Sequence, residues 1–242
     1  MTKTQNLFIS CVESRIQHQG SMYARFHLGT FFRGQALTFA NALRRTILSE
    51  MPGLLITNVG IQGASHEFST LPGVEETVLE ILLNLKKVVF VPCISKLREL
   101  ESFQAIGFLK SRGPGKVTAA DIKLPENVQC VYPKAHIATL TSGAELSFRF
   151  YLQARNPSQL IKIESTYPRK TKPPNLVLDT IPMPVQKVNY VIKSLNPKQG
   201  SEYIVLEVWT DGSVFPQDCV QFALRNLTHF FFQFAKISKK VN

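Results

Sequence analysis

The feature that most constrains this chain lies near the end of its 242 residues. From Pro216 to about Ile237, the residues Val220, Ala223, Leu224, Leu227, Phe230, Phe231 and Phe234 recur at three- and four-residue steps. Phe232 adds an aromatic ring beside that stripe. Such spacing gathers apolar side chains on one arc of a helix. Asp211-Gly212 supplies a turn just before it. Pro216 suits a first helical position, because its ring presets φ and its missing N–H would be unpaired there anyway. The arc is wide for the end of a chain. The chain's own core could hide it, but a patch this broad is costly to leave in water, and a partner helix is the expected solution.

Two further segments carry helical periodicity. In residues 35–51, Ala36, Phe39, Ala40, Leu43, Ile47 and Met51 form one apolar face, with Gly34 before it and Pro52-Gly53 to stop it. In residues 74–87, the stripe is Val74, Val78, Ile81, Leu82 and Leu85. Glu75 and Glu76 then fall in the first turn and Lys86 and Lys87 in the last, which suits the helix dipole.

The rest reads as strand and turn. Residues 54–61 are rich in β-branched side chains. In residues 144–152, Leu146, Phe148 and Phe150 share one face. In residues 203–209 both faces are largely apolar, which predicts a strand buried on both sides. Gly113-Pro114-Gly115 reads as a turn. Residues 156–184 are weakly patterned and read as a loop or domain crossing. The pattern makes the fold class α+β.

Apolar residues form 44% of the chain and charged residues 19%, a globular balance. No apolar run is long enough to span a bilayer, so no membrane partner is expected. The first residues show neither a secretory signal nor a transit peptide, which predicts a protein that works where it is made. Cys11, Cys93, Cys130 and Cys219 are far apart and lack zinc-ligand spacing, so they read as free thiols. The net charge of +11 favours an acidic partner, either nucleic acid or the acidic surfaces of a nucleic-acid machine; a generally basic, soluble surface explains it equally well.

Catalytic constellations are missing from the sequence. Asp121, Asp179, Asp211 and Asp218 are the only aspartates, and no two are spaced as the Asp-x-Asp pair that holds catalytic magnesium. Lys110 and Val117 stand where a phosphate-binding loop ending at Lys116 needs glycine and a hydroxyl residue. The five histidines are scattered, with His66 in the densest polar setting.

Several ordered blocks resemble the α subunits of bacterial-type RNA polymerase. The first runs from Asn41-Ala42-Leu43-Arg44-Arg45-Thr46-Ile47-Leu48 to Pro52-Gly53. Then come His66-Glu67-Phe68-Ser69-Thr70, and Glu80-Ile81-Leu82-Leu83-Asn84-Leu85-Lys86. Gly113-Pro114-Gly115 with Val117-Thr118-Ala119-Ala120-Asp121, His136-Ile137-Ala138-Thr139-Leu140, Pro184-Val185, and Leu206-Glu207-Val208-Trp209-Thr210-Asp211-Gly212 follow in the same order. The opening Cys11-Val12-Glu13-Ser14-Arg15 is similar to plastid-encoded members. The resemblance departs from the family at Phe39, at Ala40, and at Gln153-Ala154-Arg155-Asn156-Pro157, so contacts from that last loop are not carried over.

The resemblance implies a discontinuous dimerisation domain of antiparallel strands and two long helices, residues 1–53 plus 182–242. It is interrupted by an inserted, mixed and mostly β domain, residues 54–181. It implies a homodimer that scaffolds assembly of the β-like and β′-like subunits of DNA-directed RNA polymerase, a nucleotidyltransferase. DNA would be met only through that assembled enzyme. The chain itself would be a non-catalytic subunit without a cofactor, the catalytic magnesium belonging to another subunit. Contact with the β-like subunit is implied for Arg44, Arg45, Leu48, His66, Glu67, Phe68, Ser69, Thr70 and Glu80. The dimer interface is implied for Phe39, Leu43, Ile47, Leu227, Phe230, Phe231 and Phe234. The chain's end at Asn242 leads to the expectation that the family's C-terminal DNA-binding domain is absent. A chloroplast location is expected, with bacterial cytoplasm as the alternative. From another class, a stand-alone basic nucleic-acid-binding protein would bind DNA or RNA in a salt-sensitive way.

Overall fold

The computed structural model describes residues 7–93, 103–157, 175–196 and 200–238. In chain order the elements begin with β1 (Phe8–Ile16), β2 (Met22–Phe32), α1 (Gln35–Glu50), β3 (Gly53–Ile61), α2 (Val78–Lys86) and β4 (Phe90–Pro92). Next come β5 (Gln104–Arg112), β6 (Gly115–Thr118), β7 (Ile122–Lys123), β8 (Val128–Cys130), β9 (His136–Leu140) and β10 (Glu145–Arg155). The last are β11 (Asn175–Val177), β12 (Val185–Asn196), β13 (Ser201–Thr210) and α3 (Pro216–Ser238). The chain divides into two compact units: Met1–Met51 with Met183–Asn242, and Pro52–Pro182. Every described strand pair is antiparallel, and with three α-helices among the described residues this is the α+β class expected.

The first unit is built on a four-stranded sheet in the order β1-β2-β13-β12. Alternation in β2 and β13 sorts their side chains. Cross-strand pairing sets Ala24 against Val208, Phe26 against Leu206 and Leu28 against Ile204, and all six are buried. The two helices serve this unit. α1 packs against β12, β13, β2 and α3. Its Ala36, Ala40, Leu43 and Ile47 are fully enclosed, and full burial of a Leu or Ile side chain is worth about 1.5–3 kcal/mol. Gly34 precedes α1 at φ +87°, a conformation that strains any residue with a Cβ. Its N–H donates to Glu202 Oε2 at 3.2 Å. The opposite face of β13 is only half-buried at Tyr203, Glu207 and Trp209. The expectation of a strand buried on both sides is thus corrected to one buried face and one polar-aromatic face on which only Val205 is buried.

The second unit holds a five-stranded sheet, β11-β3-β10-β5-β7, with the small pairs β4-β8 and β6-β9. The predicted stripe Leu146, Phe148, Phe150 is indeed its buried face, joined by Val59, Ile61 and Leu109. Gly107 sits on β5 where a Cβ would run into the Phe150 ring, so glycine here makes room for an aromatic core residue. Val78, Ile81, Leu82 and Leu85 of α2 close the same core.

The start of α2 differs from the sequence pattern. A capping box begins the helix after Thr77: Thr77 Oγ1 accepts from Glu80 N, and Glu80 accepts from Thr77 N. Val74, Glu75 and Glu76 therefore lie outside the helix. Of the predicted loop 156–184, residues 158–174 lie outside the described residues. Asn175–Val177 pair with β3, and Thr180 Oγ1 donates to Ile56 O at 2.9 Å. The predicted turn at Gly113-Pro114-Gly115 links β5 to β6.

Candidate functional site

In the first unit the exposed arcs of α1 and α3 form an apolar surface. The first half of α3 is anchored: Cys219, Val220 and Ala223 are buried, and Asn226 Nδ2 donates to Glu50 Oε2 at 3.0 Å. From Thr228 on, every residue through Ile237 is exposed. Phe230, Phe231, Phe232 and Phe234 are 54–65% exposed. Phe230 packs edge-on against Phe231 and Phe234, so the rings support each other while facing solvent. An open groove of about 530 Å³ runs between the helices, lined by Thr38, Phe39, Ala42, Leu224, Leu227 and Phe231 among others. Helical periodicity does not pick out Phe31, which lies on β2 and whose ring packs on Phe39 at 5.1 Å.

The structure corrects two interface residues. Leu43 and Ile47 are each 0% exposed within one protomer, enclosed by its own sheet and helices, so they cannot touch a partner. Phe39 and Leu227 are half-buried, and Phe230, Phe231 and Phe234 are exposed.

Arg44, Arg45 and Leu48 occupy the exposed side of α1. Arg44 Nε donates to Val188 O at 2.9 Å and so braces the helix on β12. Arg45 sits one position on, and its carbonyl accepts from Ser49 Oγ.

In the second unit, residues 66–70 form a compact turn. Ser69 Oγ accepts from His66 N at 3.0 Å and Ser65 N at 3.3 Å, and donates to His66 O at 2.7 Å. Ser69 O accepts from Val78 N, which ties the turn to the first residue of α2. Phe68 is left 69% exposed at its tip. Glu67 and Thr70 are also exposed. The Glu80 carboxylate is held by the capping box.

The segment after the turn is fastened to β9. Thr141 N and Oγ1 both donate to Gly73 O at 2.9 Å, and Glu75 N donates to Thr139 O. Glu76 accepts from Thr139 N at 2.6 Å and contacts His136 Nε2 at 2.8 Å. Burial pushes the Glu76 carboxyl up, but the bonds from Thr139 and His136 outweigh it and hold the group below the usual carboxylate range.

The polar-aromatic face of the four-stranded sheet is internally matched. One row in direct register reads Arg15, Tyr23, Trp209, Lys187. The Arg15 guanidinium lies 4.7 Å from the Tyr23 ring centre and the Lys187 ammonium 4.9 Å from that of Trp209. In the next row Arg25 pairs with Glu13 at 3.4 Å and Glu207 at 3.3 Å. Burial raises the Tyr23 hydroxyl above its ordinary pKa, and its hydrogen bond to Glu207 adds to the shift. Among the described residues, no three His, Cys, Asp or Glu side chains are grouped to hold a metal ion.

The sequence that builds these two units has relatives among known proteins. Residues 59–165 match the family described as RNA polymerase Rpb3/RpoA insert domain. The chain is 63% identical to the DNA-directed RNA polymerase subunit alpha of Chlorella vulgaris over the whole of both chains. The chain belongs to the family of DNA-directed RNA polymerase α subunits. It is also 39% identical to the α subunit of Synechococcus sp. (strain JA-3-3Ab), covering 94% of this chain and 67% of that one. The α subunit of Cyanophora paradoxa is 37% identical over 95% of this chain and 70% of its own. The family match at residues 59–165 falls inside the second compact unit.

Proposed function

We propose that this chain homodimerises and serves as the assembly platform of a DNA-directed RNA polymerase, contributing no catalytic residue and no cofactor site of its own. The observation that carries the reading is the solvent-exposed half of α3. Four phenylalanines stand 54–65% exposed beside an apolar groove. In a two-fold dimer the same surface would meet itself, with α3 of one protomer seated along α1 and α3 of the other. Apolar, closely packed interfaces of this kind are typical of obligate dimers. Residues 1–53 with 182–242 would be the dimerisation domain, and residues 54–181 an insert that presents further contacts.

One copy would hold the β-like subunit and the other the β′-like subunit. Arg45 is the central contact we assign, with Arg44 and Leu48 beside it. Its planar guanidinium can take a carboxylate or two carbonyls at an interface. The turn at residues 66–70, with Phe68 at its tip, would add a second contact, and Glu80 acts there chiefly by capping α2. The algal and cyanobacterial source of the relatives supports work inside a plastid.

Light scattering tests the dimer: Phe231→Ser with Phe234→Ser should yield a folded monomer, and an unchanged dimer would overturn the assignment. Co-purification tests the platform: Arg45→Ala should keep the dimer and lose most of the β-like subunit. Undiminished recovery would remove Arg45 from the contact.

A further inference from the structure

The outward face of the five-stranded sheet is charged and greasy at once, and it is only partly self-matched: Lys110 pairs with Glu145, and Arg155 donates to Gln153. Cross-strand register assembles two rows. One reads Val177, Asn58, Tyr151, Ile106 across β11, β3, β10 and β5. The next reads Gly60, Arg149, Phe108, Lys123 across β3, β10, β5 and β7. Val177, Ile106 and Phe108 are 56%, 42% and 52% exposed. Ile106 and Phe108 are neighbours on β5 with Tyr151 beside Ile106, while Val177 stands apart on β11 beyond Asn58. Exposed apolar side chains grouped on the open face of a sheet are unusual without a partner. Lys110 and Arg112 continue the same face of β5, and Glu145 is the single carboxylate on any of the five strands. That carboxylate is already engaged by Lys110 at 3.1 Å. The face therefore carries a surplus of positive charge around an apolar centre.

We propose that this face docks an acidic, apolar-containing segment of another protein. Carboxylates of the segment would meet Arg149, Lys123 and Arg112, while its apolar side chains cover Ile106, Phe108 and Val177. Charge complementarity argues for an acidic occupant. The character of the centre argues for a protein over single-stranded nucleic acid. Stacking platforms need aromatic faces at successive positions, whereas here the aromatics are one exposed ring, Phe108, and one half-buried ring, Tyr151, with Ile106 and Val177 aliphatic. The surface lies wholly within the second unit and does not depend on dimerisation through α3.

The test uses the whole chain and a fluorescent synthetic peptide of alternating Glu and Leu. Binding should weaken with salt and fall about tenfold or more in Arg149→Glu and in Phe108→Ser, both exposed positions. Lys87→Glu, an exposed charge reversal just past the end of α2, should change it by no more than about twofold. A peptide of alternating Lys and Leu should not bind. Hydrogen exchange with the Glu–Leu peptide bound should show added protection in β5 and β10. Equal binding by the Arg149 and Phe108 variants, or protection confined to other elements, overturns the proposal. So does an Arg149-dependent affinity for an oligo-dT strand exceeding that for the peptide, which would make the face a nucleic-acid surface. Self-association abolished by Phe108→Ser would assign the face to a second copy and likewise overturn it.

Discussion

Helices α2 and α3 begin from similar apolar stripes and end in opposite situations. In α2, Val78, Ile81, Leu82 and Leu85 are all buried, a polar capping box closes one end, and the stripe is used up within its own unit. In α3 the first two turns bury Cys219, Val220 and Ala223, and the rest of the helix runs out into solvent with its rings exposed. Periodicity reports that a helix needs something apolar beside it. It does not report which molecule supplies it. The two sheets repeat the lesson. One outward face engages its own charges, Arg25 with Glu13 and Glu207, and Arg15 and Lys187 over the Tyr23 and Trp209 rings. The other pairs Lys110 with Glu145 and leaves a surplus of cations beside exposed apolar side chains.

The sharpest way to break the comparison is to remove a buried residue from α2. Leu85→Ala should destabilise the protomer by about 2–5 kcal/mol through lost burial and the cavity left behind. Thermal or urea unfolding would show it; a change below about 1 kcal/mol would mean that the core of the second unit collapses around the gap. Next in size is the cap. Thr77→Ala removes the acceptor for Glu80 N and should cost about 1 kcal/mol. If hydrogen exchange in the first turn of α2 is unchanged by that substitution, the cap is not what starts the helix.

Acid should act more gently, and on the strap to β9. Glu76 is held below its ordinary carboxylate pKa in the fold, so its contribution is complete above that ordinary value. The contribution is lost as pH falls through the lowered folded value. Glu76→Gln should flatten the acid limb of stability in that window, and an acid limb identical to the parent's would show that the Thr139 and His136 bonds do not matter. The smallest expected effect is on the folding of the protomer in Phe231→Ser with Phe234→Ser. Exposed side chains contribute little to their own fold, so the helical circular dichroism should persist and the change should stay within about 0.5 kcal/mol, even as association fails.

Much of the fold was legible in the sequence, for reasons that differ by element. The boundaries of α1 and α3 followed from Gly34, Pro52-Gly53 and Pro216, residues whose backbone limits act locally. The buried face of β10 followed from strict alternation at Leu146, Phe148 and Phe150. The start of α2 was misplaced because Glu75 and Glu76 suit a helix dipole as well as they suit a turn. The local Thr77-x-x-Glu80 capping box starts the helix after Thr77, and Thr139 and His136, sixty and more residues away, hold Glu76 outside it. The resemblance implies an interface role for Leu43 and Ile47, and spacing could not correct it because buried and interfacial stripes have the same period. Arg44 and Arg45 are adjacent and alike in sequence, and the fold separates them by giving Arg44 the carbonyl of Val188.

By itself the sequence determined the α+β class, the three helices, the basic character and the ordered blocks that place the chain among RNA polymerase α subunits. Tertiary structure alone decided which apolar residues are consumed within a protomer and which remain exposed. It also decided which charges are matched. The physical reason is that periodicity and composition are local properties, whereas burial and charge pairing depend on residues brought together from far along the chain. Val220 and Phe231 belong to one helical stripe, yet only the first finds a core to enter.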